Sequence, residues 1–258
     1  MFLFLSDLHL GRGDAAESKA AEQDAVALLR AYADDIVRQN GGLFLVGDVF
    51  DQYMEYKHLI PKGFSRFIGL LAEWSDRGIP ITYIVGNRDP WHINYFESDV
   101  GVRVVRESIE VELNDAKVFV LHGDGIVSDE WFYNAIRSLI RHPFIHRLYR
   151  MCLPGDSGFA FARWFVHNFS SDGSSNEKAV AALKMRAEHI LTHTDADIVV
   201  MGHCHHADCI PMDGGTYINP GYWFADRTFA VLDSTGPRIE SWRNSAIEPN
   251  VSHVQQES

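Results

Sequence analysis

Short apolar runs recur along the chain and are separated by polar or amphipathic stretches. Apolar runs of about four to eight residues, bounded by glycine, proline or charged residues, are typical of buried β-strands. The predicted strands cover residues 1–6, 43–46, 81–85, 198–201, 217–218 and 229–232, with two more inside 102–121 that a turn at Asn114-Asp115 joins. Strands that alternate with helices in this way indicate an α/β fold.

Two helices are predicted between the first three strands. Asp14 and Glu17 have the spacing of a capping box, so Asp14 is expected to begin the first helix. Apolar residues spaced three and four apart continue this helix up to the glycine pair at 41–42, which is expected to end it. The second helix is predicted over 64–74.

The pattern changes between about residues 125 and 195. This segment contains no strand-like run and consists of helical stretches broken by proline, glycine and serine. We therefore predict a single domain over 1–258 that carries a helical cap insertion at about 125–195. The polar tail at about 245–258 is predicted to be disordered.

Charge and cysteine content narrow the functional class. The chain has 23 Lys and Arg against 35 Asp and Glu, a net charge of −12, which argues against a nucleic-acid partner. No obligate protein partner is inferred from the sequence. Three scattered cysteines do not form a disulfide framework, and no basic, apolar leader precedes the first motif. A cytoplasmic location is therefore expected.

Metal-ligating residue types follow five of the predicted strands. In order they are Asp7 and His9, then Asp48 and Asp51, then Asn87, Arg88 and Asp89, then His122 and Asp124, then His203 and His205. Ligands bind at the carboxyl ends of strands in open α/β sheets, so we expect these side chains to lie together. A mixed Asp, Asn and His set suits Mn²⁺, Fe²⁺ or Zn²⁺ better than Ca²⁺.

Local spacing supports the same site. Asp7 and His9 are two residues apart, as are His203 and His205, so each pair is expected to share a face of extended chain. Glycine precedes three candidate ligands, at positions 47, 86 and 202. We expect glycine there because it permits a tight exit from the strand and a close backbone approach.

The motifs D-L-H, G-D-V-x-D, G-N-R-D, H-G-D and G-H-C-H resemble the five blocks of the calcineurin-like metallophosphoesterases. The resemblance spans Asp7 to His205 and implies a four-layer α/β/β/α sandwich. It also implies two divalent cations, most commonly Mn²⁺. One ion would be held by Asp7, His9, Asp48 and His205, and the other by Asp48, Asn87, His122 and His203, with Asp48 bridging. Such an enzyme uses a hydroxide shared by the two ions to attack phosphorus in line.

Arg88 stands where the common family pattern has histidine. The catalytic set implied by the resemblance is therefore Asp48, Arg88 and Asp89. An arginine is a poor general acid but can bind phosphate oxygens through two N–H groups. A leaving phosphate monoester needs little protonation, because its second pKa is about 6. Arg88 therefore favours cleavage of a pyrophosphate bond. The alternative is that arginine at this position has no bearing on the leaving group.

G-N-R-D also resembles the UDP-2,3-diacylglucosamine pyrophosphohydrolases of bacterial lipid A synthesis, peripheral inner-membrane proteins that form UMP and 2,3-diacylglucosamine 1-phosphate. The resemblance implies a nucleotide-lipid substrate and an anionic membrane surface as partners, at the cytoplasmic face of the inner membrane. The substrate-binding residues it implies are Asn87, Arg88, Asp129, Glu130, Tyr133, Arg137, Ser171, Lys178 and His203.

The cap sequence is rich in aromatic and basic residues, and each set has two interpretations. The aromatic residues either line a groove for a lipid or pack the cap onto the core. The basic residues between 137 and 163 either face anionic headgroups or form a solvated helix face.

Two rival functions stay open. The first is another metallophosphoesterase, such as a nucleotide polyphosphate hydrolase, a phosphodiesterase or a protein phosphatase. The second is a non-catalytic scaffold, which is expected to lack metal ligands, whereas this sequence retains all seven.

Overall fold

The computed structural model describes residues 1–126, 141–169 and 177–242. Its strands are β1 Phe2–Leu5, β2 Gly42–Val46, β3 Ile81–Ile84, β4 Arg103–Val105, β5 Ser108–Leu113, β6 Ala116–Leu121, β7 Ile198–Met201, β8 Asp208–Met212, β9 Gly215–Asn219, β10 Thr228–Asp233 and β11 Gly236–Ser241. Its helices are α1 Ala15–Arg38, α2 Ser65–Asp76, α3 Tyr95–Ser98, α4 Pro143–Cys152, α5 Gly155–Phe169, α6 Glu177–His193 and α7 Trp223–Asp226.

The described strands form two mixed sheets. The first has the order β11-β10-β1-β2-β3-β4, and the second has the order β5-β6-β7-β9-β8. Strands β1 to β4 run parallel to one another, as do β6, β7 and β9. The carboxyl ends of the parallel strands therefore all deliver their loops to one edge of each sheet.

The two sheets pack face to face with helices outside, which confirms the four-layer α/β/β/α sandwich. Phe4 and Phe44 of the first sheet share an apolar cluster with Val120, Val200 and Ile218 of the second. On the outer face of the first sheet, α1 and α2 cover a further cluster. On the outer face of the second, α6 buries Leu183, Ala187, Ile190 and Leu191.

Most predicted elements are present, with local differences. The capping box is confirmed: Asp14 accepts hydrogen bonds from the first turn of α1, and Glu17 accepts one from the Asp14 amide. The helix ends at Arg38, before the glycine pair, and Gly42 already belongs to β2. Asn114 and Asp115 form the predicted turn with φ of 51° and 65°.

Three short strands were missing from the prediction. The segment 102–121 holds three strands, because β4 joins the first sheet while β5 and β6 form a hairpin in the second. The edge strands β8 and β11 are only partly buried, and their sequences mix polar and apolar residues. Neither strand therefore shows a continuous apolar run.

The predicted insertion contains helices of two kinds. Helix α6 contacts β7 and β9 and forms the outer layer of the second sheet, whereas α4 and α5 contact each other. The exact extent of the insertion remains a prediction. The predicted disordered tail lies outside the described residues. None of the described helices is long and apolar enough to cross a membrane.

Candidate metal centre

The loops after β1, β2, β3, β6 and β7 bring the predicted ligands to one place. Within the described residues, two groups have ligand atoms that all lie within 4.8 Å of one another. One group is Asp7, His9 and His205, and the other is Asp7, Asp48 and His122. The second group shares Asp7 with the first, so the two form one continuous centre.

Three potential metal-ligand atoms of the first group lie close to one another. His205 Nε2 lies 3.3 Å and His9 Nε2 lies 3.6 Å from Asp7 Oδ1, and the two Nε2 atoms are 3.1 Å apart. Asp7 Oδ1 is buried and accepts no well-formed hydrogen bond from the described residues. A buried carboxylate oxygen without a donor, facing two imidazole nitrogens, fits a divalent cation.

Asp48 belongs to the second group and also approaches His9 of the first. Its Oδ2 is 3.8 Å from His9 Nε2, and its Oδ1 is 3.5 Å from His122 Nε2. His122 Nε2 also lies 3.1 Å from Asn87 Oδ1, so an amide oxygen is a further potential ligand beside His122 and Asp48. The carboxylate of Asp48 therefore reaches both groups, as a bridging ligand must.

Five of the predicted ligands have left-handed backbone. Their φ values are 53° at Asp7, 42° at His9, 51° at Asp48, 70° at His203 and 55° at His205. The expectation that each D-x-H or H-x-H pair shares a face of extended chain is therefore wrong. Non-glycine residues in this region cost free energy, and they cluster where function requires a particular side-chain direction.

Glycines make room for the ligands, as predicted. A Cβ on Gly47 would collide with the His122 ring, and a Cβ on Gly86 would collide with the Asp48 carboxylate. A Cβ on Gly202 would meet the Ser6 hydroxyl and approach Asp7. At these positions the backbone of one loop packs directly against a ligand of another.

The buried carboxylates and imidazoles shift one another's pKa values. Burial alone would raise the pKa of Asp7, but the charge of His205 holds it well below its usual value. Burial would lower the pKa of His122, but the nearby Asp48 carboxylate raises it to about 10. Burial, followed by the charge of His122, lowers the pKa of His203 to about 4. These shifts favour a protonated His122 beside ionised Asp7 and Asp48.

A family model decides the class of protein. The model described as Calcineurin-like phosphoesterase matches residues 1–207. The chain belongs to the calcineurin-like phosphoesterase family. It is accordingly a hydrolase of phosphoester or phosphoanhydride bonds, and members of this family bind divalent metals.

Relatives of this phosphoesterase carry a narrower name. A Porphyromonas gingivalis protein named UDP-2,3-diacylglucosamine hydrolase is 28% identical over 92% of this chain and 96% of its own length. A Yersinia pestis protein of the same name is 24% identical over 87% of this chain and 91% of its own. Among solved structures, an archaeal phosphodiesterase has a TM-score of 0.45 and 16% identity, covering 93% of this chain and 98% of that one.

In this phosphoesterase, Asp89 is buried next to the loops that carry the ligands. Its Oδ2 accepts hydrogen bonds from the Val49 amide at 2.7 Å and from the Tyr83 hydroxyl, and its Oδ1 accepts one from the Gly86 amide at 2.8 Å. Burial and the Asp48 charge raise the pKa of Asp89 to about 6. These contacts tie the loop after β2 to the loop after β3. A catalytic role for Asp89 stays a prediction.

Arg88 is 7% exposed and lies beside the centre. Its amide donates to Asp48 Oδ1 at 2.8 Å, so the same loop that carries Asn87 also fixes Asp48. Lys178 is exposed in the first turn of α6. The other predicted substrate residues, Asp129, Glu130, Tyr133, Arg137 and Ser171, lie outside the described part of the chain.

Sequence reasoning missed two contributors to the site. Arg12 and Tyr222 contact each other beside His9 and His205. Arg12 follows the D-L-H-L-G segment closely, and Tyr222 follows the N-P-G turn after β9. Proximity to a ligand motif was the available signal for Arg12, whereas Tyr222 requires knowledge of which loops meet.

Proposed function

We propose that this phosphoesterase hydrolyses the pyrophosphate bond of UDP-2,3-diacylglucosamine and releases UMP and 2,3-diacylglucosamine 1-phosphate. Two features of the centre together carry the proposal. Asp48 reaches both ligand groups, and an arginine stands at position 88 beside it. Relatives that match nearly the whole chain and bear the name of this activity support the substrate.

We assign seven residues to two cations, Mn²⁺ in preference to Fe²⁺ or Zn²⁺. Asp7, His9 and His205 would hold one ion, Asn87, His122 and His203 would hold the other, and Asp48 would contribute to both sites. Two bound cations would supply Lewis acidity for a water nucleophile and positive charge for the phosphoryl oxygens. The chain is acidic overall, so the centre needs this positive charge to accept a pyrophosphate.

The protein's own side chains orient the reaction. Arg88 binds the oxygens of the pyrophosphate and holds the leaving group in line. A fixed guanidinium compensates the charge that develops on that leaving group, and no proton transfer is needed. Asp89 acts as a positioning residue, because it fixes the two loops that carry Asp48 and Asn87.

Replacing Arg88 by histidine should lower kcat for the pyrophosphate substrate about 100-fold, since one charged donor to the transition state is lost. Arg88→Lys keeps the charge but not the two-pronged geometry, so an intermediate rate is expected. Initial rates of UMP release measure both. Unchanged kinetics in Arg88→His would contradict the leaving-group argument.

We propose that the cap meets the membrane that supplies the lipid. Phe144, Leu148 and Met151 lie on one face of α4 and are exposed, and Phe161 and Trp164 are exposed on α5. Contiguous exposed apolar side chains on one element mark a protein or membrane contact. This surface supports the interpretation that part of the cap's apolar content serves lipid contact.

The arginines in the described part of the cap divide into two sets. Arg141 Nη2 donates to Asp124 Oδ2 at 2.9 Å, and Arg150 Nη1 donates to a core carbonyl at 3.3 Å. These two attach the cap to the core. Arg147 and Arg163 are exposed and lie on the helices that carry the apolar surface, so they are the candidates for contact with anionic headgroups.

The double variant Phe144→Glu, Met151→Glu should bind vesicles of phosphatidylglycerol and phosphatidylethanolamine at least about ten-fold more weakly, because two large apolar side chains are lost. Met185→Glu is the matched control. Met185 is 71% exposed and Met151 is 75% exposed, but Met185 lies on α6 outside this surface. Equal sedimentation of both variants with the vesicles would contradict the membrane assignment.

The substrate proposal is tested by comparing hydrolysis of UDP-2,3-diacylglucosamine, UDP-glucose and an aryl phosphodiester by Mn²⁺-loaded protein. We expect the acylated nucleotide to be strongly preferred. Activity on the diester alone would retain the phosphoesterase and reject the lipid substrate. Binding of cations without hydrolysis of any of the three would favour a scaffold.

A further inference from the structure

One network of three side chains contacts both histidines of the first ligand group. His9 Nδ1 lies 3.4 Å from Asp51 Oδ1, on the ring edge opposite the nitrogen that faces Asp7 and His205. A carboxylate beside Nδ1 favours the tautomer that carries the proton there and leaves Nε2 free as a ligand atom. The position of Asp51 therefore favours the His9 tautomer and ring orientation that present Nε2 to Asp7 and His205.

His205 is held by an aromatic ring. The Tyr222 ring lies parallel to the His205 ring, with centroids 4.0 Å apart and an interplanar angle of 4°. The edge of the His9 ring also packs against Tyr222, at 5.7 Å and 79°. One tyrosine thus restricts the rotation of both histidines, and its stacking leaves His205 little freedom of χ2.

Arg12 joins these two supports. Its Nε donates to Asp51 Oδ1 at 2.7 Å, and its Nη1 donates to the Tyr222 hydroxyl at 2.9 Å. The three residues come from the loops after β1, β2 and β9, which are far apart in sequence. The side chain of Arg12 is only 19% exposed, so these charged hydrogen bonds are shielded from water.

The second ligand group has a different support. His122 Nδ1 lies 2.9 Å from the carbonyl oxygen of Val46, a main-chain atom of β2. That contact depends on the sheet itself, and it does not involve Arg12 or Tyr222. A change in the network should therefore affect one ligand group and spare the other.

We propose that Arg12 and Tyr222 are positioning residues that set the affinity of one of the two metal sites, the one containing His9 and His205. The inference rests on the metal-ligand assignment in the proposed function and is independent of the substrate. Outer contacts of this kind typically change metal affinity by about 10- to 100-fold.

The test is a calorimetric titration of metal-free protein with Mn²⁺, followed by electron paramagnetic resonance of the loaded sample. Arg12→Gln and Tyr222→Leu are expected to weaken one of two binding steps by about ten-fold or more, leave the other within about two-fold, and reduce the signal of the coupled ion pair. Arg12→Lys keeps the charge and should recover part of the loss, and Tyr222→Phe keeps the stacked ring and should lose less than Tyr222→Leu.

Matched controls lie away from the centre. Arg238→Gln removes an arginine that binds Asp233 at 2.9 Å and Glu240 at 2.7 Å at the edge strand β11, and Tyr32→Phe removes a hydroxyl that donates to Glu240 at 2.6 Å. Both should bind Mn²⁺ as the unsubstituted protein does. Thermal melts of the metal-free variants verify that each is folded.

Three results would overturn the inference. They are unchanged binding steps in folded Arg12→Gln and Tyr222→Leu, equal weakening of both steps, and a single-step titration of the unsubstituted protein. Failure of the substrate proposal looks different, because the unsubstituted protein would then bind Mn²⁺ in two steps and leave UDP-2,3-diacylglucosamine intact.

Discussion

Replacing Asp48 by asparagine is expected to lower turnover at least about 1,000-fold, because it removes the charge that reaches both ligand groups. Loss of a single hydrogen-bond donor to a transition state already costs about 100- to 1,000-fold. Asparagine keeps the shape of the side chain and still offers Oδ1 to the Arg88 amide. In the unsubstituted protein this amide donates to Asp48 Oδ1 at 2.8 Å. The change therefore removes the charge that reaches both ligand groups and preserves the local fold. Initial rates at saturating Mn²⁺ measure the effect.

The control for this variant is Asp115→Asn. Asp115 is exposed in the turn between β5 and β6 and has a φ of 65°, a conformation that asparagine also adopts readily. Its activity should match that of the unsubstituted protein. If Asp48→Asn retained near-normal turnover at the same Mn²⁺ concentration, a bridging role for Asp48 would be untenable.

Removal of divalent cations should abolish activity, and Mn²⁺ should restore it. The centre has imidazole ligands as well as oxygen, so Ca²⁺ is expected to restore little. Binding of Mn²⁺ to the folded state should also raise the melting temperature by mass action. The measurements are chelation, gel filtration and re-addition of each ion, read by hydrolysis and by thermal melts. Full activity in chelator would rule out metal catalysis.

The same centre makes cation binding depend on pH, and the sign follows from His122. The Asp48 carboxylate overcomes the effect of burial and raises the pKa of His122 to about 10, so the metal-free protein holds a proton there at neutral pH. A cation must displace that proton. The apparent affinity for Mn²⁺ should therefore fall about ten-fold per pH unit of acidification for each proton displaced. Titrations at several pH values with constant ionic strength measure this slope.

The sequence predicted the candidate site better than it predicted the loops that support it. Asp7, Asp48 and His122 each follow an apolar run, and parallel strands must place their carboxyl ends together, so the cluster follows from topology. The glycines at 47, 86 and 202 were predicted because they permit a tight exit from the strand and a close backbone approach, and each packs against a ligand or its neighbour.

The left-handed backbone of the ligands was not predictable from spacing. Residues two apart share a face only in extended chain, whereas Asp7 and His9 have φ of 53° and 42°. Tertiary contacts hold this conformation: the Asp7 amide donates to the Gly47 carbonyl at 3.2 Å, and the His9 amide donates to the Asp48 carbonyl at 2.9 Å. Hydrogen bonds between two loops decide the conformation, and a single motif does not reveal them.

Long-range pairs account for most of what was missed. Arg12 and Tyr222 are 210 residues apart and meet because the loop after β1 of the first sheet lies against the loop after β9 of the second. Arg141 was interpreted as part of a basic cluster on the cap, yet it donates to Asp124 at 2.9 Å and to the Gly86 carbonyl at 3.1 Å. One guanidinium from the predicted cap thus contacts two of the five motif loops.

The most direct test of the central claim is ³¹P NMR of the products formed from UDP-2,3-diacylglucosamine by Mn²⁺-loaded protein, with Asp48→Asn as the blank. We predict that the two pyrophosphate signals are replaced by the signals of two phosphate monoesters, UMP and 2,3-diacylglucosamine 1-phosphate. A pyrophosphate that stays intact, or release of UDP in place of UMP, would contradict the proposed cleavage.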